Sequence, residues 1–358
     1  MKRGGVLGAF FLLVLFLPSQ SVVPVKAQTS AYGVIKVITL PKAPASFDIS
    51  WADASMHRYF LADRTNAAVD IVDTTNDTLI AQVTGFAGAT GKTATSGPNG
   101  VVTVPEMNQL WVGDGDSSVK VIDLATNTIV ASISTGGTAR SDEMAYDAAD
   151  KLIVIANDLD ETPFVSLISV VDHSVTTIPY PDSNAGLEQP VWDPIGGLIY
   201  QAVPGSKTNP DGELAVIDPH SKSLVNVLPA NDCTPGPMTM GPNHQLLVGC
   251  NGGDRRHSII MDVNGTIVTT ITEVGGVDEV WYNPGDQNYY FAASSMTVDG
   301  TKDGRVTPVL GIVNAMTNVW IANIPTVPSA HSLAVDSSNN HIYMPLTNVG
   351  IGVYARMP

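Results

Sequence analysis

The 358-residue chain is poor in charge, in aromatic rings and above all in cysteine. Charged residues are only 15% of it, and 18 basic side chains face 34 acidic ones, a formal net charge of −16. A surface of that sign repels phosphate backbones and anionic lipid, which argues against nucleic acid and membrane-surface partners. Apart from residues 5–17, no stretch is apolar for long enough to form a transmembrane helix, so no membrane insertion is expected. Neither Gly-x-Ser-x-Gly nor His-Glu-x-x-His occurs, which leaves those two hydrolase routes without support. Helical periodicity is missing between the strand-like segments. Only Cys233 and Cys250 carry thiols, and an isolated pair in an oxidising compartment usually bridges.

What is present begins with an address. Lys2 and Arg3 precede the apolar run, and Val25-Lys26-Ala27 offers small residues at the −3 and −1 positions of a cleavage site. Residues 1–27 therefore read as a signal peptide cut after Ala27, with a single domain on 28–358 and a secreted or periplasmic location. Cleavage removes three basic residues (Lys2, Arg3, Lys26) and no acidic one, moving the net charge from −16 to −19. The 32 glycines and 24 prolines make the remainder turn-rich, as many short strands require.

The chain also repeats itself. "SVKVIDLATNTIVASI" from residue 118 has near-copies beginning at 67, 166, 214, 258 and 310. The polar residue closing the first strand of each is expected at Asp73, Asp123, Asp172, Asp218, Asp262 and Asn314, at spacings of 44–52 residues. Each copy reads as a hairpin of two β-branched runs around a polar turn. Another strand–turn–strand unit, such as "LAVDSSNNHIYMPL", precedes each hairpin. Four strands per repeat without intervening helices describe propeller blades, which stack because a lone four-stranded sheet cannot bury both faces. Innermost strands are expected to start near 46, 99, 142, 188, 236, 278 and 331, which makes seven blades. The last copy lacks a fourth strand, and "YGVIKVITLP" at 32–41 is expected to supply it. The fold class is thus all-β, a seven-bladed propeller closed by its N-terminal strand.

The hairpin "VGDGDSSVKVIDLATNTIVASISTG" resembles the YVTN-type β-propeller repeat family, over roughly residues 32–354 and most clearly at 45–137. No blade carries the literal Tyr-Val-Thr-Asn. Phe60-Leu61-Ala62-Asp63 and Trp111-Val112-Gly113-Asp114 stand in its place. The resemblance implies a seven-bladed propeller and leaves the chemistry open, since function belongs to sites grafted on a fold.

Propeller geometry sorts the loops between two ends. Turns within the strand 1–2 and strand 3–4 hairpins share one end, here the bottom. Inter-blade and strand 2–3 connections share the other, the top. The longer top loops, at 85–99, 156–164, 202–213, 249–257 and 292–306, make it the expected binding face. His57, His173, His220, His244 and His341 fall in bottom turns and read as solvated; His257 and His331 fall on top. Cys233 and Cys250 lie at the top of adjacent strands of the fifth blade, within reach of a disulfide. "GFAGATGKTATSG" is not a phosphate loop, because Phe86 stands where the first glycine must be. "GGDRRH" at 252–257 is the one basic patch on top, and its Arg255 and His257 could hold an anionic group or pair locally.

Stacking the innermost strand starts gives Asp48, Gly100, Asp142, Glu188, Gly236, Asp278 and His331, followed by positions that include Glu143, Gln189 and Glu279. These side chains are expected to ring the mouth of the central channel. Three readings stand open. The polar groups could simply bond neighbouring blades. They could form a ligand-binding mouth, with Asp48, Glu188, Gln189, Arg255 and His257 touching the ligand. Or Asp142, Glu143, Glu188, Asp278 and Glu279 could hold a divalent cation, Ca²⁺ or Mg²⁺ for oxygen donors, Zn²⁺ or Mn²⁺ if an imidazole joins them. In that case His331 and Glu143 are the candidate catalytic residues of a metal-assisted hydrolase or lyase, lactonase-like in character. The leading expectation is a monomeric binding protein for a small molecule or an extracytoplasmic partner. The enzyme, and a surface scaffold that engages other proteins, are the alternatives.

Overall fold

The computed structural model describes Met1 and residues 31–357. The expected signal peptide and its cleavage site lie outside the described residues. Among the described residues, twenty-eight strands form seven antiparallel four-stranded sheets. The innermost strands are Ser50–Asp53, Val101–Val104, Met144–Asp147, Pro190–Trp192, Pro235–Gly241, Glu279–Asn283 and Ala334–Asp336. Each contacts the innermost strands of both neighbouring sheets, so together they line one axis. Sheets are numbered here as blades 1 to 7 in that order.

Six blades are built from consecutive strands. The seventh orders as Ala334–Asp336, His341–Leu346, Gly350–Arg356 and then Tyr32–Ile38. Antiparallel pairing runs from Tyr32 opposite Arg356 to Ile38 opposite Ile351. Closure of this kind leaves no open gap in the ring of sheets.

The core is divided among the seven blade interfaces. Each apolar cluster draws on two adjacent blades: Phe60, Ile71 and Val83 of blade 1 meet Val101, Leu110 and Ile122 of blade 2, for example. Strands read as alternating or continuous β-branched runs because second and third strands are buried on both faces, as in Leu152–Asn157. Outermost strands alternate, as Thr128–Ser134 does, because only one face meets a neighbour. The outer hairpins of blades 1, 2, 4, 5 and 6 share a register shift near the same point, a bulge that increases local twist.

Two expectations need correction. Blade 3's third strand ends at Ser169, three residues before Asp172, and the Ser169 hydroxyl accepts the turn N–H groups that Asp73 and Asp123 accept in their blades. Asp172 lies within the turn, where it accepts from Ser174. Of the bottom histidines, His57, His173 and His220 are exposed as expected, whereas His244 and His341 are half-buried against carboxylates of neighbouring blades. His244 Nε2 lies 2.6 Å from Asp193 of the preceding blade, His341 Nδ1 3.1 Å from Asp77 of blade 1, and His57 Nδ1 3.2 Å from Ser338 of blade 7. His220 Nδ1 lies 3.3 Å from Asp150, and His173 packs edge-on against Trp111. The turns of neighbouring blades abut, so side chains at their tips meet across the seam.

Candidate functional site

The ring positions converge at the top of the axis. Asp48, Asp142, Glu143, Glu188, Asp278 and His331 line a cavity of about 330 Å³ together with Phe47, Arg64 and Arg140. Most stand just before an innermost strand, where the chain enters from the previous blade and its side chains point toward the axis. Gly100 fills its ring position for a steric reason: its N–H donates to the Asp142 carbonyl at 3.0 Å, and a Cβ there would collide with that oxygen.

The two arginines organise the charge. Arg64 pairs with Asp48 and donates to Asn99 Oδ1 at 2.6 Å. Arg140 pairs with Asp142, reaches Asp158 at 2.9 Å and lies 3.9 Å from Asp48. Burial works against the Arg140 charge, but Asp142, Asp48 and Asp158 hold the guanidinium firmly protonated. His331 stacks flat on Phe47 with ring centroids 4.6 Å apart. Its Nδ1 lies 2.8 Å from the Ser329 carbonyl, which can only accept, so Nδ1 carries the proton.

The carboxylates remain in excess. Burial pushes Glu188 up to about 8, with Asp278 and Asp158 adding like-charge repulsion and Arg140 opposing them. Burial likewise raises Glu143, and Glu188 and Asp142 add repulsion. Asp142 is raised by burial against the pull of Arg140, and Asp278 by burial against His331. Glu279 lies deeper, 1% exposed, where burial raises it and Ser332 donates to its Oε2 at 3.3 Å. Glu143 is 6% exposed, and its Oε2 has no hydrogen-bond partner among the described residues.

Other expected site residues fall elsewhere. Gln189 turns away from the acidic cavity; its Oε1 accepts the Met238 N–H at 3.1 Å, and the residue lines a second cavity below. Arg255 and His257 do not line the mouth. Arg255 donates to the Asp299 carbonyl at 3.2 Å, and His257 Nδ1 donates to the Arg255 carbonyl at 2.9 Å. Their loop folds toward the 297–306 segment of the next blade, which satisfies its cations locally. Cys233 and Cys250 form a disulfide with Cα atoms 4.6 Å apart.

Among the described residues no three His, Cys, Asp or Glu groups are placed to hold a metal ion. Of the carboxylates expected to ligate one, Asp142 is already turned onto the Arg140 guanidinium.

No protein-family model matches the chain, and no curated protein matches it. Solved structures do: a chain of Kuenenia stuttgartiensis hydrazine synthase superposes with a TM-score of 0.70 at 12% identity, covering 88% of this chain and 96% of that one. The likeness is one of fold. Both chains are β-propellers, and at that identity the resemblance carries no residue roles.

The arginines were missed because only strand starts were stacked. Arg64, Asp114 and Asp158 each follow the last residue of their blade's second strand (Asp63, Gly113, Asn157), a repeat position readable from the same alignment. Arg140 stands two residues before Asp142 in the inter-blade loop. The second cavity was missed for a related reason: its aromatics lie three or four residues past the ring positions.

Proposed function

We propose that this chain is an extracytoplasmic binding protein of the YVTN-type propeller kind, whose channel mouth captures a small molecule bearing an ammonium group. The supporting observation is Glu143. Its unpartnered carboxyl oxygen is held in a cavity that Asp48, Asp142, Glu188 and Asp278 also line, against only two guanidinium groups, Arg64 and Arg140. A buried carboxyl without a partner is costly, and an incoming cation with N–H donors relieves both the missing bond and the surplus charge. The chain's overall negative charge favours the approach of such a ligand. Export is inferred from residues 1–27 and agrees with the disulfide, a bond typical of oxidising compartments.

The sign of the pH dependence follows. A cation binds the ionised carboxylates, and Glu188 ionises only near 8. Binding therefore expels protons, and affinity rises as pH climbs from about 6.5 to 9. Calorimetric titration with 1,4-diaminobutane and n-butylamine tests this. One site per chain is expected, weakened about tenfold (~1.4 kcal/mol) by Glu143→Gln. Absence of heat with every amine would refute the reading. A stoichiometric divalent ion retained through dialysis, and lost in Glu143→Gln with Asp278→Asn, would favour metal-assisted chemistry in its place.

A further inference from the structure

Below the acidic mouth the same axis opens into a cavity of a different character. It measures about 410 Å³ and is lined from six of the seven innermost strands, with Ala54, Pro194, Pro284 and Ser337 of the bottom turns at its rim. Three of the chain's five tryptophans, Trp51, Trp192 and Trp281, are in its wall. Tyr146 and Tyr282 stand between them, and Met144, Met238 and Met240 fill the intervals. No Asp, Glu, Lys, Arg or His lines it.

The wall is rigid and half open. Trp51 and Trp281 meet edge to face with ring centroids 5.1 Å apart, and Trp51 Nε1 donates to Thr103 Oγ1 at 3.0 Å. Each ring backs onto a blade core: Trp51 onto the clusters of blades 1–2 and 2–3, Trp192 onto that of blades 3–4, Tyr282 onto that of blades 5–6. Yet all five rings are only partly buried. Fixed aromatic faces with one side free, softened by thioethers, favour flat apolar partners. The volume and the small number of polar groups are those of small-molecule pockets.

We infer that this lower cavity is a second binding site, independent of the acidic mouth, for a neutral planar aromatic or heteroaromatic ring. Two other ligand classes fit less well. A pyranose needs several hydrogen-bond partners, whereas Gln189 Oε1 is taken by the Met238 N–H, Trp51 Nε1 by Thr103 and the Tyr146 hydroxyl by Glu106, which leaves scattered single groups such as Trp192 Nε1, Gln189 Nε2, Thr239 and Ser337. A quaternary ammonium would find no carboxylate in this wall, while the other end of the axis offers several.

The probe is N-phenyl-1-naphthylamine, uncharged and fluorescent in apolar surroundings, titrated into the purified protein. One saturable site is expected, with quenching of tryptophan emission. Trp281→Ala and Met240→Arg are each expected to weaken it about tenfold or more while circular dichroism and melting stay cooperative. Met240 is partly exposed, so the arginine variant decides the matter if the tryptophan variant fails to fold. Tetramethylammonium and methyl β-glucoside in large excess should not displace the probe. Lack of saturable binding, full affinity in folded Met240→Arg, or displacement by either competitor overturns the inference.

Discussion

At the scale of the residue, Glu188 is the most informative group. Its carboxyl titrates near 8 in the folded protein because burial disfavours the ion and Asp278 and Asp158 repel it. In the unfolded chain it titrates near 4.3. The folded form therefore holds an extra proton between those values, so its contribution favours the native state at low pH and fades as pH rises from about 4.5 to 8. Glu143, Asp142, Asp278 and Glu279, also raised, act in the same direction. Replacing Glu188 by glutamine keeps its shape and removes that slope. Urea unfolding of Glu188→Gln across pH 5 to 8 should give a visibly flatter stability profile than the parent chain, and an unchanged slope would contradict the assignment. The ring itself could be read from the sequence, because strand starts recur at a fixed place in each repeat. Its state of charge could not. Arg64 holds a repeat position just after its blade's second strand and Arg140 stands in an inter-blade loop, but only the fold shows that they turn inward onto Asp48 and Asp142.

At the scale of the element, the hairpin pattern fixed nearly every strand, since alternating β-branched runs around an Asp-led turn permit little else. It misplaced the end of blade 3's third strand, where Ser169 takes over the turn-capping role and Asp172 imitates it three residues later. The first hairpin of blade 5 shows what a local staple adds. Cys233 and Cys250 close a loop spanning 17 residues, and both sulfurs are buried in the core between blades 4 and 5. Joining residues at that separation stabilises a fold by roughly 3 kcal/mol, chiefly by restricting the unfolded chain. The double variant Cys233→Ala/Cys250→Ala should lose about that much in urea unfolding, and dithiothreitol should destabilise the parent while leaving the variant unchanged. Half-buried His244 and His341 could not be told from the exposed bottom-turn histidines, because sequence places each turn but not the neighbouring turn it leans on.

At the scale of the whole molecule, the repeat count and the missing last strand together announced the closed ring. The two-ended character of the channel was hidden, because acidic and aromatic positions lie only three or four residues apart along the chain: Asp142 and Tyr146, Glu188 and Trp192, Asp278 and Trp281. The described ends of the domain adjoin, the Met357 N–H donating to the Ala31 carbonyl. A circular permutant that joins 357 to 31 and opens the exposed turn between Val171 and Asp172 should therefore fold to the same β-rich spectrum with one cooperative melt. Loss of cooperativity would show that closure depends on more than the pairing. The seam also sets a timetable for synthesis. Ile38 must find Ile351, 313 residues later, so the strand Tyr32–Ile38 has no mate until the other strands of the ring have been made. Through that interval Val34, Ile35 and Val37, about half exposed even when docked, stand on an unpaired edge open to other nascent chains.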